Sequence, residues 1–282
     1  DLEWLQVPPD QVFVSKRVQY CHWTQGMEGD LDPRHLAFLH AGTIDNTEEH
    51  AGQASAEWLK QDLTPVIEAV SKPVGLMFAA RRNADADTYF WRVGQWMSPF
   101  FTTIPGFPGL GPLSGHAWVP ADDGRSSVFT FSWHPTRALT EEELKQMRSG
   151  TAMHAGLIPA TFLPLCNREN EYAGPDAPPA TQPWMRIKHF QDQDICITES
   201  IGTGFNRAEE NLGSSDAVIG RVRAMLIGAA RALGEGREPP GRNPAEYRMR
   251  PISVQLPRRT TDWAEEIADA VDTRPETFRA SV

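Results

Sequence analysis

Cys21-His22-Trp23-Thr24-Gln25-Gly26-Met27-Glu28-Gly29-Asp30-Leu31-Asp32-Pro33-Arg34-His35-Leu36-Ala37-Phe38-Leu39-His40 is the stretch on which the reading of the whole chain turns. Asp32 is a candidate N-cap, and Pro33 sits where a first helical turn tolerates it, so Pro33 to His40 reads as a short helix. On an ideal helix His35 and His40 lie about 140° apart, too far round for both to face one small ion. If the pair binds metal, the helix must be irregular there or end near His40; a π-type turn would swing the two rings together.

Two imidazoles on one segment need a third ligand, and its identity decides the chemistry. A carboxylate with open positions beside it is the arrangement of non-heme iron(II) oxygenases, whereas a third histidine or cysteine points to zinc. H-x4-H alone is a weak motif, equally met by one core histidine and one exposed histidine. The downstream segment Gln191-Asp192-Gln193-Asp194-Ile195-Cys196-Ile197-Thr198-Glu199-Ser200-Ile201-Gly202 offers three acids for the missing position.

Together the two segments resemble the catalytic domain of Rieske non-heme iron oxygenases, in the phthalate 4,5-dioxygenase branch. The family motif E-G-x-x-D-x-x-H-x4-H is matched by Glu28-Gly29, Asp32, His35 and His40, and Q-D-x4-E-S-x-G by Gln193-Asp194, Glu199-Ser200 and Gly202. Further blocks of that branch are matched by Ala80-Arg81-Arg82-Asn83, Gly115-His116-Ala117-Trp118-Val119-Pro120 and Phe131-Ser132-Trp133-His134-Pro135. The resemblance implies that His35, His40 and Asp194 hold a mononuclear iron(II). It implies a catalytic role for Asp32, whose carboxylate would hydrogen-bond an iron-ligating histidine and, across a subunit boundary, a histidine of a neighbouring Rieske cluster. It implies electrons from NADH, passed through a reductase or ferredoxin and a 2Fe-2S Rieske cluster, used with O2 to hydroxylate, dihydroxylate or O-demethylate an aromatic, carboxylated substrate in a trimeric assembly. The alternative is a non-catalytic helix-grip module that holds an apolar ligand. Glu199 and Asp192 compete with Asp194 as the acid.

The three cysteines, Cys21, Cys166 and Cys196, form no C-x-H and C-x-x-H pair, so no residues here would hold a Rieske cluster. The 282 residues are expected to be a single catalytic domain (1–282) with a C-terminal tail (237–282), the Rieske domain lying on another domain or subunit. An excess of 37 acidic over 27 basic residues, net charge −10, argues against nucleic-acid and membrane-surface roles. The absence of an apolar run approaching about 18 residues gives the expectation of a cytoplasmic protein.

Alternation predicts a strand over Gln11–Tyr20, and richness in β-branched and aromatic residues predicts strands over Val74–Ala80, Thr88–Trp96, Gly115–Val119 and Ser127–Trp133, neighbours joined by short turns and therefore antiparallel. Residues 42 to 56 and 173 to 183 read as loops. Thr140 with Glu143 forms a capping box, and Ser214-Ser215-Asp216 starts the longest helix, with Val218, Val222, Met225, Leu226, Ala229 and Leu233 on its apolar face. A second helix is expected from Thr261 to Val271. The fold class is α+β, and the resemblance specifies the helix-grip (START-like) domain with inserted iron-binding helices. Trp96, Phe100, Phe101, Ile104, Trp118 and Trp133 are candidate cavity walls, and Arg81, Arg82 and Arg92 are available cations, none singled out; the substrate-binding residues are left unassigned.

Overall fold

The computed structural model describes residues 1–46, 53–109, 111–151, 153–174, 187–202 and 204–273. Its centre is an 8-stranded sheet of β1 (Val12–Gln19), β2 (Val66–Lys72), β3 (Gly75–Asn83), β4 (Thr88–Met97), β5 (Phe101–Ile104), β6 (Leu113–Asp122), β7 (Arg125–Trp133) and β8 (Ile252–Pro257). The order is β1-β7-β6-β5-β4-β3-β2, and every pairing is antiparallel. One edge of β4 is divided: Thr88–Val93 pairs with β8 and Gln95–Met97 with β5. Between β1 and β2 lie α1 (Trp23–Asp30), α2 (His35–Phe38), α3 (Ala41–Asn46) and α4 (Ala54–Gln61). Between β7 and β8 lie α5 (Glu141–Ser149), α6 (Phe190–Ser200) and α7 (Ala217–Gly234), and after β8 come α8 (Trp263–Glu266) and α9 (Ala268–Val271).

Both faces of the sheet are covered, because side chains alternate along each strand and both sets are apolar. Leu76, Phe78, Trp96, Trp118 and Val128 pack on one face against Met27 of α1, Leu31 just after it, and Val218, Ile219 and Val222 of α7. Met77, Ala79, Trp91, Phe131 and Trp133 pack on the other, against Trp4 and the tail residues Trp263, Ile267 and Val271. Each fully buried side chain of this kind contributes about 1.5–3 kcal/mol. Glu28 of α1 accepts hydrogen bonds from Arg223 of α7 (2.7 Å from both Nε and Nη2) and from Arg207 (2.9 Å), and both arginines also meet Glu210. This partly buried network ties α1 to the long helix, which gives Glu28 a structural part that sequence left open.

The expected strands and the capping box at Thr140 are present, and Thr140 accepts from the Glu143 amide at 3.2 Å. Other readings change, are completed, or fall outside the described residues. Residues 42 to 56, read as a loop, include most of α3 and the start of α4; the described loop is shorter, and residues 47–52 lie outside the described residues. Most of the expected 173 to 183 loop, residues 175–183, lies outside them too. The tail is docked, with β8 added to β4 and the expected second helix divided into α8 and α9. The apolar face of α7 is buried only in its first half: Val218 and Val222 are buried, while Leu233 is 59% exposed, because the helix runs on past the strands that it covers.

The approach of α1 to β6 leaves no room for a side chain at Gly26. A Cβ there would lie 2.1 Å from the Trp118 ring. Gly26→Ala is expected to destabilise the fold by about 1–3 kcal/mol, read as a lower denaturation midpoint at unchanged m value. An unchanged midpoint would mean that Trp118 moves aside freely.

Candidate metal centre

The site is assembled by a break in the helix. His22 caps α1, accepting from the Thr24 amide at 3.3 Å while Gln25 accepts from the His22 amide at 3.1 Å. After α1, the Asp32 carboxylate accepts the backbone N–H groups of Arg34 (2.8 Å) and His35 (3.2 Å) and so starts α2. That helix has only four residues. It ends at Phe38, and α3 restarts at Ala41 with the Thr43 amide donating to the His40 carbonyl at 3.0 Å. No π-type turn occurs among the described residues; termination in place of a bulge removes the 140° disparity. The two imidazole rings then sit 5.0 Å apart at 76°.

Both rings converge on one oxygen of Asp194 in α6. Nε2 of His40 lies 3.2 Å from Asp194 Oδ1, and Nε2 of His35 lies 3.8 Å from the same atom. The ligand atoms of the three residues all fall within 4.8 Å of one another. Nitrogen and oxygen ligands stand about 2.0–2.2 Å from a first-row ion, so neighbouring ligands at right angles are separated by about 3 Å; the donors fit one small cation. Each Nδ1 is already engaged. His35 Nδ1 pairs with the main-chain carbonyl of Asp32, and His40 Nδ1 pairs with Gln193 Oε1 at 2.7 Å. With Nδ1–H donating, each ring keeps an Nε2 lone pair for an ion, the usual outer support of ligating histidines. The ring contact of Asp32 is therefore made by its backbone oxygen, while its carboxylate holds the turn. His40 is nearly enclosed, with 3% of its side chain exposed, whereas His35 and Asp194 are 28% and 30% exposed, so the centre is open on one side.

The competing acids face elsewhere. Glu199 accepts from the Tyr20 amide at 2.9 Å and the Tyr172 hydroxyl at 3.0 Å. Asp192 is buried beside Cys166, and burial pushes its carboxyl up. Asp194 is itself held from beneath: the Thr198 hydroxyl donates to its carbonyl at 2.7 Å, and Gln19 of β1 donates to Thr198 at 2.7 Å. Gln19 in turn accepts from Arg17 Nε at 2.9 Å.

Sequence reasoning missed Asp30. Its carboxylate accepts from Trp118 Nε1 (2.6 Å) and Thr102 (2.5 Å), and its Oδ2 lies 2.9 Å from His116 Nδ1. Burial alone would raise this carboxyl, but the His116 charge and the three hydrogen bonds outweigh it and hold it below its ordinary value. The signal was available: His116 and Trp118 stand two apart on one strand, and hence on one face.

A cavity of about 1310 Å³ opens at the centre, lined by His35, His40, Asp194, Phe78, Ile104 and Phe107 among others. Of the candidate walls, Ile104 lines it. Trp118 borders a smaller adjoining cavity of about 260 Å³, while Trp96 and Trp133 are core residues and Phe100 and Phe101 pack against the core. Arg82 and Arg92, which sequence reasoning passed over, also line the large cavity. Arg81 is on the opposite face, over the Tyr89 ring at 4.4 Å.

This fold and these motifs are those of one family. The chain belongs to the family described as LigXa C-terminal domain like, whose profile matches residues 2–278. It is 25% identical, over an alignment of 284 residues, to the 3-chlorobenzoate-3,4-dioxygenase oxygenase subunit of Comamonas testosteroni, covering 93% of this chain and 63% of that protein. It is 24% identical over 264 residues to the phthalate 4,5-dioxygenase oxygenase subunit of Pseudomonas putida, covering 90% and 59%. These relatives agree with the branch read from the motifs. Dicamba monooxygenase bound to 3,6-dichlorosalicylic acid shares the fold, with a TM-score of 0.50 at 12% identity over 82% of this chain and 62% of that chain. The α+β helix-grip architecture is thus the observed one. The chain spans about three-fifths of the length of the curated relatives that it matches.

In the metal-free protein, burial would lower the His40 imidazole, but the hydrogen bond and charge of Asp194, with Gln193, outweigh it and raise the ring above its ordinary 6.5. The protonated His40–Asp194 pair therefore stabilises the metal-free fold fully below that ordinary value and loses this contribution as pH rises through the raised one. A metal ion needs the neutral ring and follows the opposite sense. Cobalt(II) affinity, measured by calorimetry in buffers of different ionisation enthalpy, is expected to rise with pH across this window with proton release; a pH-independent affinity would contradict the use of His40 as a ligand.

Proposed function

We propose that this chain is the iron-bearing catalytic part of a terminal oxygenase that hydroxylates, dihydroxylates or O-demethylates an aromatic substrate. The observation that carries the reading is the convergence of His35 Nε2 and His40 Nε2 on one Asp194 oxygen, two neutral nitrogens and a carboxylate at the mouth of an apolar-walled cavity, the donor set of non-heme iron(II) oxygenases. When bound there, iron(II) supplies the capacity to activate dioxygen with electrons that reach it from NADH through a reductase or ferredoxin and a 2Fe-2S Rieske cluster.

The chain's own residues do the positioning. The Asp32 carbonyl and Gln193 Oε1 fix the ring tautomers, and the Asp32 carboxylate sets where α2 begins. Phe78, Ile104 and Phe107 give the cavity an apolar wall that holds an aromatic ring and limits water near the reacting carbon, and placement of that carbon decides among the possible outcomes. The sequence has no C-x-H and C-x-x-H pair, so a Rieske cluster would come from another domain or subunit, in keeping with a trimeric assembly in which Asp32 lies on the electron route. A passive binder of apolar ligands would gain nothing from setting two imidazoles against a carboxylate beside its cavity, since buried polar groups are costly unless paired or coordinated.

Metal analysis of anaerobically reconstituted protein is expected to give about one iron(II) per chain, lost in His40→Ala and in Asp194→Ala. With a cluster-bearing partner, the iron-loaded protein should insert oxygen into an aromatic acid or aryl ether. Asp194→Ala should abolish this while leaving apolar ligand binding nearly intact. Tight zinc in place of iron, full iron retention in His40→Ala, or oxygen insertion by Asp194→Ala would each overturn the reading.

A further inference from the structure

His154 lies in the segment after α5 and is completely enclosed, at 0% exposure. Both of its hydrogen-bond partners are hydroxyls: Nδ1 lies 2.7 Å from Ser15 Oγ on β1, and Nε2 lies 3.0 Å from Ser132 Oγ on β7. The Phe13 ring meets the imidazole edge-on at 4.8 Å and holds its plane. Ser132 is paired with Ser114 across β7 and β6, and their hydroxyls stand 2.7 Å apart. Ser114 lines the large cavity. At the other end Ser15 is half-buried on β1, the edge of the sheet. The four side chains thus form one hydrogen-bonded row from the sheet edge to the cavity wall.

A neutral imidazole has one N–H and one lone pair, and a hydroxyl has a single hydrogen to give. Burial, with the charges of His116 and Arg17 adding to it, pushes His154 down to about 3, so the ring is neutral at working pH. Ser132 bonds both the ring and Ser114, so it donates to one and accepts from the other. When Nε2 carries the proton, Ser132 accepts from it and donates to Ser114, whose own O–H is then left to point into the cavity. When Nδ1 carries the proton, Ser132 donates to Nε2 and accepts from Ser114, which keeps only lone pairs for the cavity. Ser15 accommodates both states, because its hydroxyl donates to Nδ1 in the first and accepts from it in the second. The two states hold equal numbers of protons: one is released at one ring nitrogen and one is taken up at the other, both exchanged with water. The other histidines near the centre lack this freedom. Nδ1 of His35 faces a carbonyl and Nδ1 of His116 a carboxylate, which accept only and so fix the proton on Nδ1.

We propose that Ser114 is the subsite for one neutral polar substituent of the ligand, and that His154 lets this subsite either donate or accept. The proposal rests on the reading of the cavity as the place of an aromatic ring and deepens it by naming a contact that orients the ring. A carbonyl or ether oxygen meets Ser114 as a donor, and an N–H or O–H group meets it as an acceptor. A cavity wall with a donor of fixed sense would leave a buried group unpaired with one of these two classes, at a cost of affinity. Here the change of sense is passed along the row to the imidazole, so the cavity takes both classes without such a loss.

The test uses metal-free protein, so that its outcome is independent of whether the triad binds iron or activates oxygen. The probes are acetophenone, which only accepts at its oxygen, with α-methylstyrene as its hydrocarbon isostere, and indole, which donates from N–H, with indene as its isostere. Affinities are measured by calorimetry, and the tautomer of His154 is read by nitrogen NMR on protein labelled in its histidine rings, the signal being identified by its absence in His154→Gln. Acetophenone and indole are each expected to bind about 2- to 10-fold more tightly than their isosteres. Acetophenone should hold the ring with its proton on Nε2, and indole should hold it with its proton on Nδ1. Ser114→Ala should remove both preferences and leave the isosteres bound as before. Ser132→Ala should break the response of the ring to either ligand, a result that a purely structural histidine would not give. A ring that keeps one tautomer with both ligands, equal binding within either pair by the wild type, or a preference that survives in Ser114→Ala would each overturn the proposal. If none of the four compounds bound, the aromatic-ligand reading would fall and this subsite with it. Circular dichroism checks the folding of each variant, and should the variants fail to fold, the wild-type affinities and tautomers decide the matter alone.

Discussion

The architecture depends on one contact, the approach of two imidazoles from a broken helix to a single carboxylate oxygen on a helix more than 150 residues later. A continuous helix from Pro33 onward would turn His35 and His40 away from each other. Ending α2 after four residues leaves backbone groups to be satisfied, and the Asp32 carboxylate and the His40 carbonyl do this locally. The same residues that solve the backbone problem also orient the rings. Asp32 caps with its side chain and fixes a tautomer with its carbonyl, so the helix start and the ligand geometry are one arrangement.

What holds that arrangement against the sheet is a set of buried polar groups with few charges left unmatched. Asp30, one turn before the ligands, is bound by His116, Trp118 and Thr102 from β5 and β6, and Glu28 is bound by two arginines from the α7 side. Arg17 and Gln19 reach from β1 to Thr198 under Asp194. Such groups are costly when single and stabilising when satisfied. They join α1 and α6 to three different strands, which explains how short helices with modest packing of their own are held in register. Arg82 and Arg92 differ from this pattern, because each has an enclosed Nη1 that donates to nothing among the described residues.

Much of this was legible beforehand, for identifiable reasons. The strands announce themselves because both faces are apolar or aromatic, and the Asp122-Asp123-Gly124 turn because Asp122 can accept from the Gly124 amide, as it does at 2.9 Å. The ligand set came through the spacing of His35, His40 and Asp194 within matched motifs. Composition alone would not have separated Asp194 from Asp192 or Glu199. Other features were hidden where tertiary contact overrides local pattern. Residues 54 to 56 are small and show no periodicity, yet they begin a helix because Ala56 and Leu59 are buried in place. β8 follows a proline- and arginine-rich stretch and becomes a strand only because β4 offers a free edge. Arg82 and Arg92 are not singled out by the sequence, since no sequence pattern distinguishes a cation on the cavity face of a strand from one on the solvent face.

The most direct measurement is iron K-edge X-ray absorption on the anaerobic iron(II)-loaded protein, compared with His35→Ala, His40→Ala and Asp194→Ala. The account predicts a first shell of nitrogen and oxygen containing two imidazole contributions, reduced by one imidazole in either histidine variant that still retains metal. A shell containing sulfur, or one unchanged by loss of His35, His40 or Asp194, would contradict it.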